Sequence, residues 1–186
     1  MMEHGQHGDF DRLHDMIAGS EDLKGVLDGV AGFAARALSR STGERIECAV
    51  TLRRRRRSAT IAGSSDDAVL LDRIEQALGE GPCVEALKVG HSVVLSDASA
   101  DPCWPRYSES LLQAGCRSAM GVPLTLGDQA GAVLNFLAPV TGAFTRDAIA
   151  DAEAFADMAS RILRLAIRIA GADQLAEVYR RGKTPR

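Results

Sequence analysis

The chain has 186 residues, of which 46% are hydrophobic, so it can bury a core and is not disordered as a whole. Aromatic residues make up only 4%, which means that Ala, Val, Leu and Ile must build most of that core. The 22 Lys and Arg residues against 25 Asp and Glu residues give a net charge of −3. This balance excludes a surface devoted as a whole to nucleic acid.

The first 19 residues are polar and without a structural period, and we interpret residues 1–19 as a mobile leader. They include His4, His7 and His14, but no cysteine or carboxylate stands beside these at ligand spacing, so we predict no metal site. No secretion signal is present, and no segment reaches the roughly 18 apolar residues of a membrane span. We therefore expect a cytoplasmic protein with no membrane contact.

The first predicted helix begins at Ser20, which can cap it, and ends before Gly43. Residues 46–52 and 58–62 alternate as strands do, and the first of them should place Ile46, Cys48, Val50 and Leu52 on one face. Five arginines at 53–57 separate the two strands. With no aromatic residue among them to stack on a base, they indicate a solvated hairpin tip, and we expect no nucleic-acid partner.

Ser65 and Asp66 open a second helix that reaches residue 78. Its predicted apolar face consists of Val69, Leu70, Leu71, Ile74, Ala77 and Leu78. A short helix at 83–89, a strand at 91–95, a loop at 97–105 and a helix at 106–114 follow. Gly115 is the expected stop of the last of these.

Two strands at 118–126 and 130–138 are joined at Gly127-Asp128, a dipeptide suited to a tight hairpin. Thr145 then caps a long helix that should run to about residue 170. Because hairpins dominate the order of elements, we predict an α+β layered domain with a largely antiparallel central sheet and helices on both faces.

Residues 79–87 read GEGPCVEAL and are followed by Asp97, DPCWP at 101–105, AGCRS at 114–118 and VPL at 122–124. This ordered set resembles the GAF domains of bacterial sensory proteins. It is more similar to the actinobacterial kind that usually precedes an ANTAR RNA-binding domain. The resemblance implies a GAF domain at 20–171 whose first and last helices pack together. Residues 172–186 would be a short tail, too short for the ANTAR output domain.

The resemblance also implies a ligand pocket roofed by residues 83–116 and floored by alternate residues of the strands at 118–124 and 133–137. The side chains that we expect to bind the ligand are Trp104, Tyr107, Cys116, Met120 and Asn135. No pattern of residues selects a particular cofactor or ligand.

The chain lacks the motifs of serine hydrolases, zinc peptidases and P-loop enzymes, so we expect no catalysis. One enzymatic alternative resembles the same fold: free methionine-(R)-sulfoxide reductases are GAF proteins with a Gly-x-Gly-x-Cys segment similar to residues 79–83. The dipole of the short helix would stabilise a Cys83 thiolate, with Cys103 or Cys116 as its partner. That family uses carboxylates on the strands that follow, and the strand segments 118–122 and 133–137 contain none.

We therefore expect a non-catalytic sensory module for signal transduction and transcription regulation that signals through its terminal helices. A thiol-based redox sensor or reductase is the alternative. All four cysteines should be free thiols, because no C-x-x-C pair is present. The last helix carries a second apolar stripe, which predicts a homodimer, or a monomer if the first helix covers it. That stripe consists of Phe155, Met158, Ile162, Leu165 and Ile169.

Overall fold

The computed structural model describes residues 23–54, 57–127 and 130–183. The predicted leader with its three histidines, the Ser20 cap and Asp128 of the predicted turn lie outside the described residues. No helix in the described part of the chain is both long enough and apolar enough to cross a membrane.

Each helix and strand predicted from the sequence is present. The helices are α1 (Leu23–Thr42), α2 (Asp66–Leu78), α3 (Pro82–Val89), α4 (Pro105–Gln113) and α5 (Arg146–Gly182). The strands are β1 (Glu47–Arg54), β2 (Arg57–Gly63), β3 (Val93–Leu95), β4 (Ser118–Thr125) and β5 (Ala130–Ala138).

The strands form one sheet in the order β2-β1-β5-β4-β3, and each neighbouring pair is antiparallel. This confirms the predicted α+β layered fold and both predicted hairpins. At the tip of the first hairpin Arg54 pairs with Arg57. Arg53 is not simply solvated, because its guanidinium donates a hydrogen bond of 2.7 Å to the Leu87 carbonyl of α3.

Helices cover both faces of the sheet, as predicted. On one face α1 and α5 enclose the larger apolar core, which includes Leu134 and Phe136 of β5. On the other face lie α2, α3 and α4, and here Val133 and Leu137 of β5 point inward. Because strand side chains alternate between faces, Asn135 also belongs to this second face. The predicted β1 face of Ile46, Cys48, Val50 and Leu52 is confirmed on the α1/α5 side.

The first and last helices pack together, as predicted, and the Phe33 and Phe155 rings stack with their centroids 5.7 Å apart. Phe155 and Ile162, two members of the predicted second stripe, are therefore buried within the domain. Only its last two members are well exposed, Leu165 at 53% and Ile169 at 76%.

Helix α5 continues well beyond its predicted end. Gly171, at φ 83°, interrupts it, and a second helical segment follows as far as Gly182. This segment packs against β2, where Val178 and Tyr179 are buried and a Cβ on Gly182 would lie 2.6 Å from the Thr60 carbonyl oxygen. The described part of residues 172–186 therefore belongs to the folded domain.

The predicted apolar face of α2 is wrong for most of its members. Leu71 is buried as predicted and Leu78 is partly buried, but Leu70 is 57% exposed, and the other residues that α2 buries are Ala68, Asp72 and Glu75. The four buried residues are spaced by three or four residues and so share one helix face. Helix α2 therefore turns two carboxyl groups toward the sheet.

Gly121 of β4 lets α3 approach the sheet, because a Cβ there would lie 2.6 Å from the Pro82 carbonyl oxygen and 2.8 Å from Cys83 Cα. We predict that Gly121→Ala lowers the free energy of unfolding by about 1–3 kcal/mol, as overpacking does. Gly131→Ala on β5 is the matched control, since its Cβ would meet only the Arg53 side chain at 3.5 Å or more. Urea denaturation measures both variants, and equal stabilities would contradict the close approach of α3 to β4.

Candidate functional site

A group of buried polar side chains lies between the sheet and the helices α2, α3 and α4. We call it the polar cluster, and its members are Thr51, Thr60, Asp72, Glu75, Cys83, Tyr107 and Asn135. None is more than 2% exposed. Three strands and three helices thus each contribute to one enclosed polar site.

Local structure places the two carboxyl groups. Ser65 caps the start of α2 by accepting from the Ala68 N–H, and Gly79 ends the helix in the left-handed region. The chain then turns through Gly81 at φ 139°, where a Cβ would overlap the Glu75 carboxyl group. Glycine at this position is what lets Glu75 reach the start of α3.

Asp72 is held by three donors from the sheet. Its Oδ2 accepts from the Thr51 hydroxyl and, at 2.5 Å, from the Thr60 hydroxyl. Its Oδ1 accepts from Asn135 Nδ2 at 3.0 Å. All three sheet residues are buried, so these bonds form away from water, where an unmet polar group is costly.

Glu75 caps α3. Its Oε1 accepts from the backbone N–H of Cys83 at 2.6 Å and of Val84 at 3.4 Å, which replaces the side-chain cap that Gly81 cannot supply. Its Oε2 accepts from Asn135 Nδ2 at 2.6 Å. The Asn135 amide therefore joins both carboxyl groups of α2 to the middle strand of the sheet.

Burial in the polar cluster favours the uncharged forms of Glu75 and Cys83. Burial first, and then the charge of Asp72, raise the pKa of Glu75 well above its ordinary value. The same two causes raise the pKa of Cys83. Burial and the nearby acidic groups therefore oppose the Cys83 thiolate that the enzymatic alternative requires.

Two atoms of the polar cluster lack a hydrogen bond. Among the described residues, neither Asn135 Oδ1 nor the Tyr107 hydroxyl has a partner. The hydroxyl interacts with the Glu75 and Asn135 side chains, but neither contact has the distance and angle of a full hydrogen bond. Orphaned polar atoms at full burial are rare in folded proteins, and they indicate either stored strain or a missing binding partner.

The five residues predicted to bind a ligand do not all meet. Tyr107 and Asn135 lie in the polar cluster, and Trp104 and Cys116 are partly buried beside the apolar group that contains Tyr107. Met120 lies on the opposite face of the sheet, in the α1/α5 core, so its placement on the pocket floor is wrong. Strand alternation explains this, because Ala119 and Gly121 point to the α3/α4 side instead.

Asp72, Glu75 and the two threonines are not among the residues predicted for the site. The carboxyl groups come from α2 and not from β4 or β5. Their spacing in the sequence does indicate a shared position. Asp72 and Glu75 lie three or four residues from Ala68 and Leu71, which places all four on one side of α2.

The four cysteines are free thiols, as predicted. Cys48 is buried in the α1/α5 core, Cys103 is exposed and Cys116 is partly buried, so Cys83 is the thiol of the polar cluster. Gln76 Nε2 donates to Cys83 Sγ at 3.4 Å. Gln76 also lines a surface groove of about 1010 Å³ between α3 and the β4–β5 hairpin, and none of the five predicted ligand residues lines it.

An antiparallel sheet between two helical layers, with polar side chains enclosed beneath one layer, defines an α+β layered domain. The family model of the GAF domain matches residues 26–163, and the chain belongs to the GAF domain family. No curated protein matches the sequence significantly.

Solved structures share the fold at low sequence identity. The GAF domain of an Acinetobacter phosphoenolpyruvate-protein phosphotransferase is 18% identical, with a TM-score of 0.59 over 92% of this chain and 100% of that one. The free methionine-R-sulfoxide reductase of Neisseria meningitidis, in complex with its substrate, is 17% identical, with a TM-score of 0.59 over 87% of this chain and 89% of that one. A phycoerythrobilin-bound GAF domain of a cyanobacterial phytochrome is 13% identical, with a TM-score of 0.60 over 87% of this chain and 95% of that one.

Because folding raises the pKa of Glu75, the folded state holds a proton that the unfolded chain releases above its pKa near 4.5. Stability contributed by this group is therefore present in acid and lost as the pH rises above 4.5. We predict that Glu75→Gln, which imitates the protonated form, gains stability relative to the parent as the pH rises. Urea denaturation across pH measures this difference.

Glu109→Gln makes the same chemical change on an exposed position of α4 and is the control. A difference between Glu75→Gln and the parent that stays constant with pH would contradict the buried, protonated state of Glu75.

Proposed function

We propose that this GAF domain is a non-catalytic sensory module that binds a small polar ligand at the polar cluster. The observation that carries the proposal is the pair of orphaned atoms, Asn135 Oδ1 and the Tyr107 hydroxyl, at full burial beside two carboxyl groups. A ligand with hydrogen-bond donors or positive charge would satisfy atoms that the protein itself leaves unmet.

The sheet offers a route from the polar cluster to the terminal helices. Asn135 stands on β5 between Leu134 and Phe136, whose side chains enter the α1/α5 core on the opposite face. A shift of β5 at Asn135 therefore changes the surface on which α1 and α5 pack. The ligand signals only if it binds one packing arrangement more tightly than the other.

We further propose that output passes through a second subunit at the exposed end of the α5 stripe. Leu165 and Ile169 are large apolar residues that the described part of the domain leaves exposed. Burial of Phe155 and Ile162 against α1 restricts the dimer contact to this end. The likeness to GAF domains of actinobacterial ANTAR regulators favours a role in transcription regulation.

A thiol-based redox function is the second candidate. It is favoured by the position of Cys83 Sγ within 4.8 Å of carboxyl oxygens of Asp72 and Glu75, and by the fold shared with a free methionine-R-sulfoxide reductase. Full burial and a raised pKa make this thiol a poor nucleophile, so the non-catalytic function is preferred. Methionine sulfoxide turnover by the parent, lost in Cys83→Ser, would reverse this preference.

Native mass spectrometry of protein purified from its own host tests the sensory proposal, because it reports bound mass and subunit number together. We expect a dimer in which each chain carries an additional mass. Asn135→Leu replaces the amide with an apolar side chain of similar volume, and this variant should no longer carry the additional mass. Cys103→Ser changes an exposed thiol outside the polar cluster and should retain it.

A parent protein that shows only the mass of its chain would contradict ligand binding. If folded Asn135→Leu still carries the additional mass, the ligand binds at another site. A monomer at micromolar concentration would contradict the predicted dimer.

A further inference from the structure

The polar cluster contains buried acidic groups with no cationic side chain beside them. In the described part of the chain, no salt bridge includes Asp72 or Glu75. In the absence of a cation, burial favours protonated Glu75. Deprotonated carboxyl groups inside proteins are paired with an opposite charge or coordinate a metal ion, and a small cation would be that partner here.

Three side chains of the polar cluster converge at metal-binding separations. One carboxyl oxygen each of Asp72 and Glu75 and the Sγ of Cys83 lie within 4.8 Å of one another. Ligand atoms of a tetrahedral zinc ion stand about 3.5 Å apart, given its bond lengths of about 2.0–2.3 Å. The three atoms therefore need to move inward by only about 1 Å.

The hydrogen bonds bring one oxygen of each carboxyl group into contact with the same atom, Asn135 Nδ2. Asp72 Oδ2 is held by two threonine hydroxyls, and Glu75 Oε1 by the backbone at the start of α3. The remaining oxygens, Asp72 Oδ1 and Glu75 Oε2, both contact Asn135 Nδ2, at 3.0 and 2.6 Å. Outer bonds that orient ligands in this way are typical of metal sites.

Asn135 can supply a fourth ligand. Turning its side-chain amide by about 180° exchanges Nδ2 with the orphaned Oδ1, two atoms of nearly equal size. Oδ1 would then face both carboxyl oxygens, an arrangement that a cation between them stabilises. The amide nitrogen would turn toward the neighbourhood of the Tyr107 hydroxyl, which has no partner among the described residues.

We infer that Asp72, Glu75, Cys83 and Asn135 bind one divalent transition-metal ion of the zinc class. The sulfur ligand disfavours Mg²⁺ and Ca²⁺, which prefer oxygen, and a site closed to solvent does not suit the waters that Mg²⁺ retains.

Gln76 donates to Cys83 Sγ and also lines the surface groove, so an ion would enter from this side. This inference rests on the proposed function, because both place the bound ligand at the polar cluster.

Titration of chelator-treated protein with Co²⁺ tests the inference, because a cobalt–thiolate bond gives a near-ultraviolet charge-transfer band. We expect one Co²⁺ per chain, this band, and its displacement by Zn²⁺. Cys83→Ser should abolish the band, whereas Cys103→Ser and Cys116→Ser, which alter the more accessible thiols, should keep it. Thr51→Val, which removes one bond to Asp72, should weaken binding by about 10–100-fold.

Absence of the band at stoichiometric Co²⁺, or its survival in Cys83→Ser, would overturn the inference. Should Cys83→Ser fail to fold, X-ray absorption of the zinc-loaded parent decides: one sulfur at about 2.3 Å with oxygens at about 2.0–2.2 Å supports the site, and a shell of light atoms alone contradicts it.

The two proposals fail separately. If the protein carries an organic ligand that Asn135→Leu no longer binds, and binds no metal ion, the sensory proposal is supported and the metal site is contradicted. If the protein binds the metal ion but the hydrogen exchange rates of α1 and α5 do not change, the metal site is supported and the sensory proposal is contradicted.

Discussion

The domain depends on the hydrogen bonds that the Asn135 amide donates to Asp72 and Glu75, at 3.0 and 2.6 Å. Without them one oxygen of each carboxyl group, Asp72 Oδ1 and Glu75 Oε2, would lie unmet in the interior, where burying a polar group without a partner costs several kcal/mol. These bonds fix α2 on the sheet, and Glu75 in turn fixes the first turn of α3 through the Cys83 and Val84 N–H groups. The second helical layer is therefore organised around polar contacts as well as apolar burial.

The same strand links this polar layer to the apolar one. β5 lies at the centre of the sheet between β1 and β4, and its alternate residues face the two layers. Leu134 and Phe136 pack with α1 and α5 in the larger apolar core. In this GAF domain one strand therefore connects the polar cluster with the layer of the terminal helices.

Much of the fold follows from local patterns. Alternation predicts β1 and β2, the Gly127-Asp128 turn predicts the hairpin of β4 and β5, and the hairpin order predicts the antiparallel sheet. Helix α2 was assigned the wrong face because Val69, Leu70, Ile74 and Leu78 form an apolar stripe of their own. Only tertiary contact with Thr51, Thr60 and Asn135 makes the acidic face the buried one. Met120 was misplaced because a strand prediction fixes alternation but not which alternate set faces which helical layer.

We propose that the polar cluster is a binding site and not a finished piece of core. A high-resolution crystal structure of protein isolated without chelators would test this. We expect electron density from a bound species within bonding distance of Asn135 or the carboxyl groups of Asp72 and Glu75. A polar cluster in which Asn135 Oδ1 and the Tyr107 hydroxyl are satisfied by protein atoms alone, with no additional density, would contradict it.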